Sequence, residues 1–325
     1  MTKTAAAREK ADAITRRFHL TLGIVLAVLM VTNFVLARAV HFYGSGQLLN
    51  VWLGAACLGG LLWYCRTRPL PRLVESCELA IWAILYFQAL AVTMQIAGRS
   101  PRPLIDAQLT ALDGAMHFST IAFARGVEHW PVLHIGLAVI YALVGPMLIA
   151  AVLVPPAMGK GDASRRCVAG VVAAAILTAI AFALWPAAGP WTTEGFHANK
   201  EQQAVTQYLA LLKSPAMVDL DKGDAGIVAF PSFHVLLAMM SALALGAVRR
   251  LRAIAWTLAV LVAVSTLTTG WHYLTDVLGG LALTVIATAA ARVLVPERAS
   301  RGTASAAVQI PAEASTPAVT ASPGR

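Results

Sequence analysis

The stretch Phe230-Pro231-Ser232-Phe233-His234-Val235-Leu236-Leu237-Ala238-Met239-Met240-Ser241-Ala242-Leu243-Ala244-Leu245-Gly246-Ala247-Val248 runs straight into Arg249-Arg250. From Val235 to Val248 it carries no charge. A helix needs roughly 20 apolar residues to cross a hydrocarbon layer about 30 Å thick, and 231–248 fits that length. The two ends differ in kind. One offers a proline, a serine and a histidine, the other only arginines.

Seven more stretches read the same way: 18–40, 47–65, 76–98, 132–154, 167–187, 253–270 and 272–295. The second is rich in Gly54, Ala55, Ala56, Gly59 and Gly60, which suits close helix packing. The last two are parted only near Gly270. Arg16 and Arg17 precede the first run, and Ala37-Arg38-Ala39 mimics a leader-cleavage site, but the run is longer than a signal core and reads as a helix. Across the chain 58% of residues are hydrophobic and 13% charged, where a soluble protein carries about 25% charged. The mean hydropathy is +0.70. The predicted fold is therefore all-α: a polytopic transmembrane bundle of about eight helices. The net charge of +9 calls for no nucleic-acid partner, because it sits in loops, where it sets topology. Cys57, Cys65, Cys77 and Cys167 show no CxxC pairing and suggest neither a disulfide scaffold nor a zinc site.

Lys and Arg mark the cytoplasmic side. They cluster before the first helix (Lys3, Arg8, Lys10, Arg16, Arg17) and after the second (Arg66, Arg68, Arg72), fourth (Lys160, Arg165, Arg166), sixth (Arg249, Arg250, Arg252) and eighth (Arg292, Arg298, Arg301). All five groups fall on one side of an eight-helix path. The expected organisation is a cytoplasmic segment 1–17, two accessory helices within 18–75, a six-helix core within 76–296 and a disordered tail 297–325 rich in Ala, Ser, Thr and Pro. The opposite side carries two long loops, 99–131 and 188–230. In the second, Val205, Tyr208, Leu209 and Leu212 recur at helical spacing and predict a short helix capping the bundle or lying on the membrane.

Three clusters share that opposite side. Pro231, Ser232 and His234 open the sixth helix, with proline at the first helical position and free N–H groups forming an anion site beside the Ser232 hydroxyl. His272 and Asp276 open the eighth, four apart on one face. A carboxylate near one imidazole nitrogen would fix the tautomer and free the other nitrogen. Arg99 and Arg102-Pro103 follow the third helix, and guanidinium grips phosphate bidentately. Asp106 and Asp113 come next at seven-residue spacing in an expected interfacial helix. Each pattern alone is common. Their meeting on one membrane face, which the charge argument fixed without using them, makes a phosphoryl-transfer inventory.

These residues resemble the type 2 phosphatidic acid phosphatase superfamily, whose pattern is K-x6-R-P, then P-S-G-H, then S-R-x5-H-x3-D. Arg102-Pro103 resembles the end of the first part, Pro231-Ser232-Phe233-His234 the second, and His272 with Asp276 the end of the third. The resemblance covers about 95–290. The departures are Gln95 for the first lysine, Thr266 for the arginine of the third part and Phe233 for the glycine. The set looks more like the branch with inositol-phosphorylceramide and sphingomyelin synthases, and the resemblance implies a lipid phosphate phosphatase or an inositolphosphotransferase-like phosphotransferase.

The resemblance and the residue chemistry imply the same roles. His272 is the nucleophile that becomes phosphohistidine, Asp276 orients it, and His234 is the general acid and then base. Arg102, Arg99 and Ser232 bind the substrate phosphate. No metal and no cofactor is expected. The partners expected are a phosphorylated lipid and, for a transferase, a lipid alcohol acceptor, with the site facing the periplasm or exterior of a bacterial inner membrane. His117, His129 and His134 fit no standard metal spacing, and Trp130, Trp185, Trp191 and Trp271 read as interface markers. The competing readings are a transporter, which would place polar groups at mid-membrane, and a non-catalytic scaffold.

Overall fold

The computed structural model describes residues 3–44, 48–68, 70–193, 196–223 and 226–296. The protein is an all-α bundle. Its helices are α1 (Lys3–Ala39), α2 (Leu48–Thr67), α3 (Pro71–Gly98), α4 (Asp106–Ala115), α5 (Thr120–Glu128), α6 (Pro131–Ala142), α7 (Val144–Ala157), α8 (Gly161–Leu184), α9 (Lys200–Lys213), α10 (Phe233–Leu245), α11 (Arg252–Thr268) and α12 (Leu274–Leu294). One two-residue strand, Phe42–Tyr43, pairs in parallel with Val218–Asp219.

Among the described residues each of the eight apolar stretches is largely helical. Among the described residues five segments are long and apolar enough to cross a membrane, against the eight crossings expected: Asp12–Ala39, Pro71–Gly98, Pro131–Ala157, Gly161–Leu184 and Leu274–Leu294. α10 and α11 are shorter apolar helices. The stretch read as one helix over 132–154 is α6 and α7, broken at Leu143. Large apolar side chains face outward, including Val132, Val285, Val293 and Trp63. In water such a surface would mark an aggregation hazard; in a bilayer it is the lipid-facing side.

α8 lies among α3, α7, α10 and α12. Small residues let its neighbours close in: Ala174 and Ala175 are fully buried, and a Cβ on Gly170 would lie 3.2 Å from the Ala287 carbonyl. Gly280 does the same for α10 and α12, since a Cβ there would sit 2.5 Å from the Ser232 carbonyl. This contact joins the two helix starts that carry the histidines.

The helix expected near 201–213 is α9, opened by a capping box between Asn199 and Gln202. Val205, Leu209 and Leu212 are buried against the bundle, so α9 caps it. α4 is the helix expected to carry Asp106 and Asp113. The last helix starts two residues later than the sequence implied. Gly270, at φ +70°, turns the chain after α11, and the N–H groups of Trp271 and His272 donate to the Thr266 carbonyl at 3.1 and 3.2 Å. His272 therefore stands in the turn ahead of α12. The tail 297–325, expected to be disordered, lies outside the described residues.

Candidate active site

The structure brings the two histidines together. Their ring centroids are 5.7 Å apart. His272 is buried at 2% exposure, and His234 is half-buried in the first turn of α10. α10 and α12 are locked start to start: the Ser232 N–H donates to the Asp276 carbonyl at 3.0 Å. Gly280 supplies the room for this approach.

The His272 tautomer is set differently from the sequence expectation. Its Nδ1 lies 2.9 Å from the Ala229 carbonyl. A carbonyl only accepts, so the proton resides on Nδ1 and Nε2 keeps its lone pair. Asp276 Oδ2 is 3.6 Å from Nδ1, an ion-pair distance beyond hydrogen bonding. Oδ2 instead accepts the Tyr273 N–H at 2.8 Å, and Oδ1, fully buried, has no hydrogen-bond partner. Asp276 thus closes the first turn of α12 beside the ring. Burial pulls the His272 pKa down to about 4, against a smaller upward push from the Ala229 carbonyl. The ring is neutral at pH 7.

The expected phosphate ligands fare unequally. Ser232 is the N-cap of α10: its hydroxyl accepts the Val235 N–H at 3.4 Å, and Pro231 precedes the cap where the sequence reading had put it at the first helical position. Arg99 is engaged elsewhere. Its guanidinium donates to the carbonyls of Leu212 at 3.3 Å, Ser214 at 2.5 Å and Ala216 at 2.5 Å, and lies 5.1 Å from the Phe42 ring centre. It closes the C-terminus of α9, so the phosphate role given to it from the sequence does not suit its contacts. Arg102 is exposed in the α3–α4 loop, and its backbone carbonyl accepts from Lys213 Nζ at 2.9 Å. The same ammonium reaches the Ser100 carbonyl at 2.5 Å, and burial lowers its pKa. Gln95 is buried and accepts from the Tyr208 hydroxyl at 2.6 Å. Thr266, fully buried, serves the site through the carbonyl that holds the His272 turn.

Several participants escaped the sequence reading. Tyr141 of α6 stacks on His234 with centroids 4.4 Å apart, its hydroxyl 3.4 Å from Nδ1. Trp271 lies parallel to Tyr141 at 6.2 Å, and Trp191 meets Trp271 edge-on at 4.9 Å. Trp191 is buried, with its indole N–H on Thr206 Oγ1 at 2.9 Å, so it is a packing residue rather than an interface marker. Asp106 accepts from the N–H groups of Ala188 and Gly189 at 3.0 and 2.8 Å and from the Tyr273 hydroxyl at 3.3 Å. Burial raises its pKa, and these donors oppose the rise. No signal in a single sequence announces such pairings, since their members lie up to 167 residues apart. Among the described residues no group of three or more His, Cys, Asp or Glu side chains forms a metal cage.

The profile of the PAP2 superfamily matches residues 107–290, more than half of the chain. The chain belongs to that superfamily. The match takes in Asp113, Ser232, His234, His272 and Asp276, whereas Gln95, Arg99 and Arg102 lie before it. No curated protein and no solved structure matches the chain.

Proposed function

We propose that this membrane protein is a lipid phosphate phosphatase or phosphotransferase, working through a phosphohistidine at the non-cytoplasmic face. The observation that carries the reading is the His272 geometry: Nδ1 is spoken for by the Ala229 carbonyl, and the His234 ring stands 5.7 Å away. Nε2 of His272 attacks phosphorus and the bond to the leaving oxygen breaks. His234 gives that oxygen its proton. The imidazolium so formed keeps its Nδ1 proton on Ala229 with the Asp276 carboxylate 3.6 Å away. Water or an alcohol then attacks phosphorus, His234 takes its proton, and His272 leaves. The first-turn N–H groups of α10 hold the equatorial oxygens, and Arg102 is the candidate cation.

With Gln95 and Thr266 in place of two cations, a singly charged phosphodiester suits the site better than a phosphate monoester. This favours transfer of the inositolphosphotransferase type, in a bacterial inner membrane with the site toward the periplasm. The test uses detergent-purified protein, wild type against His272→Ala, with phosphatidate, a polyprenyl diphosphate and a phosphodiester lipid, each with and without diacylglycerol or ceramide. Free phosphate and new lipids are followed together. His272-dependent phosphate means a phosphatase. A new lipid that needs both acceptor and His272 means a transferase. Equal behaviour of the two proteins across the panel rejects catalysis by His272.

A further inference from the structure

α4 holds the turn that carries the reacting histidine. Asp113, 2% exposed, accepts four hydrogen bonds: the Leu274 N–H at 2.9 Å and Thr120 hydroxyl at 2.9 Å on Oδ2, the Thr275 N–H at 2.9 Å and Thr275 hydroxyl at 2.7 Å on Oδ1. Leu274 and Thr275 open α12, where orphan N–H groups point outward. The residues just before them are also satisfied: Trp271 and His272 donate to Thr266, and Tyr273 donates to Asp276. Five successive N–H groups, from 271 to 275, thus end on protein acceptors. A carboxylate filling a helix N-terminus is favoured by the helix dipole. Here it also denies that terminus to a substrate phosphate.

About two turns earlier on α4, Asp106 holds Ala188, Gly189 and the Tyr273 hydroxyl. Two carboxylates of one short helix therefore grip residues 273, 274 and 275 immediately after His272.

We infer that Asp113 is a positioning residue for His272: by capping α12 it fixes the turn from which the imidazole is presented, and it ties that turn to α4 and α5. The inference rests on the reading of His272 as nucleophile. A displacement of about 1 Å at a reacting group costs about 100-fold in rate, so a cap that fixes this turn acts on turnover more than on binding.

The experiment compares wild type, Asp113→Asn, Thr120→Val and His272→Ala in detergent, with dioctanoyl phosphatidate and a dioctanoyl phosphodiester lipid as probes. Hydrogen exchange over 266–280 is measured in the same samples. Asn keeps one carbonyl acceptor and turns an amide donor toward N–H groups. Asp113→Asn is expected to lower kcat about 100-fold with KM within about twofold, and to speed exchange at the first turn of α12 only. Thr120→Val removes one bond to Asp113 but leaves the α12 cap, and should keep kcat within about threefold. A kcat for Asp113→Asn near wild type, where His272→Ala is inactive, overturns the inference. So does faster exchange throughout the bundle, which marks a general stability role. If His272→Ala keeps its turnover, the reading of His272 has failed instead. The exchange at 274–275 then decides whether Asp113 orders the turn.

Discussion

The Nδ1 of His272 lies 2.9 Å from the backbone carbonyl of Ala229. A main-chain atom therefore holds the imidazole tautomer, and the Asp276 carboxyl, 3.6 Å from Nδ1, acts through its hold on Tyr273. Where a carboxylate alone sets the tautomer of a catalytic histidine, its amide variant loses about 10⁴-fold in kcat. Here the Ala229 carbonyl survives the substitution. Asp276→Asn should thus lose only about 100-fold, while His272→Ala loses all turnover. Initial rates of the two variants on one substrate check the difference; a loss as large as that of His272→Ala would give the tautomer back to Asp276.

Acid should weaken the fold through His272. Its folded pKa is held near 4 by burial, below the ordinary 6.5. Between these values the unfolded chain binds a proton that the folded protein refuses, so stability rises with pH across that window and is lost as pH falls from about 6.5 toward 4. Thermal unfolding at pH 4.5 and 7 should show a smaller pH difference for His272→Gln than for wild type. Equal differences would mean that the ring gains its proton without cost in the folded state.

Arg99 and Arg102 should separate stability from binding. Arg99→Met removes a charged donor group from three carbonyls and should cost about 2–3 kcal/mol. Arg102→Ala, at an exposed side chain, should stay within about 0.5 kcal/mol, yet raise KM if its guanidinium meets the phosphate. Unfolding midpoints and KM values, measured on both variants, give the answer. A raised KM in Arg99→Met at unchanged stability would restore the phosphate role to Arg99.

Gly280 and Gly59 should respond oppositely to alanine. A Cβ at Gly280 meets the Ser232 carbonyl at 2.5 Å and Val235 Cβ at 3.1 Å, so Gly280→Ala should cost about 1–3 kcal/mol and displace the two helix starts. A Cβ at Gly59 meets nothing within 4 Å, so Gly59→Ala should be neutral or stabilise α2 by up to about 1 kcal/mol. Thermal melts in one detergent check the signs, and turnover should fall only in Gly280→Ala.

Eight apolar runs, their charged ends and the placing of Pro231–His234 and His272–Asp276 at helix starts were all legible in the chain itself. They are local facts: a bilayer demands about 20 apolar residues per crossing, and spacing along a helix fixes which side chains share a face. The pairing of these starts, the tautomer of His272 and the duty of Asp113 were not legible. Ala229 meets His272 across 43 residues, and Asp113 meets Leu274 across 161. Such bonds exist only because Gly280 lets α10 and α12 approach and because α4 folds back onto the turn. Arg99 shows the same limit from the other side. Its sequence context proposed a phosphate ligand, but the carbonyls of Leu212, Ser214 and Ala216 at the end of α9 take its guanidinium. The sequence determined which segments form apolar helices and where reactive side chains enter. Which acceptor each donor meets was decided by packing, because a buried polar group must be satisfied by whatever the tertiary fold brings within reach.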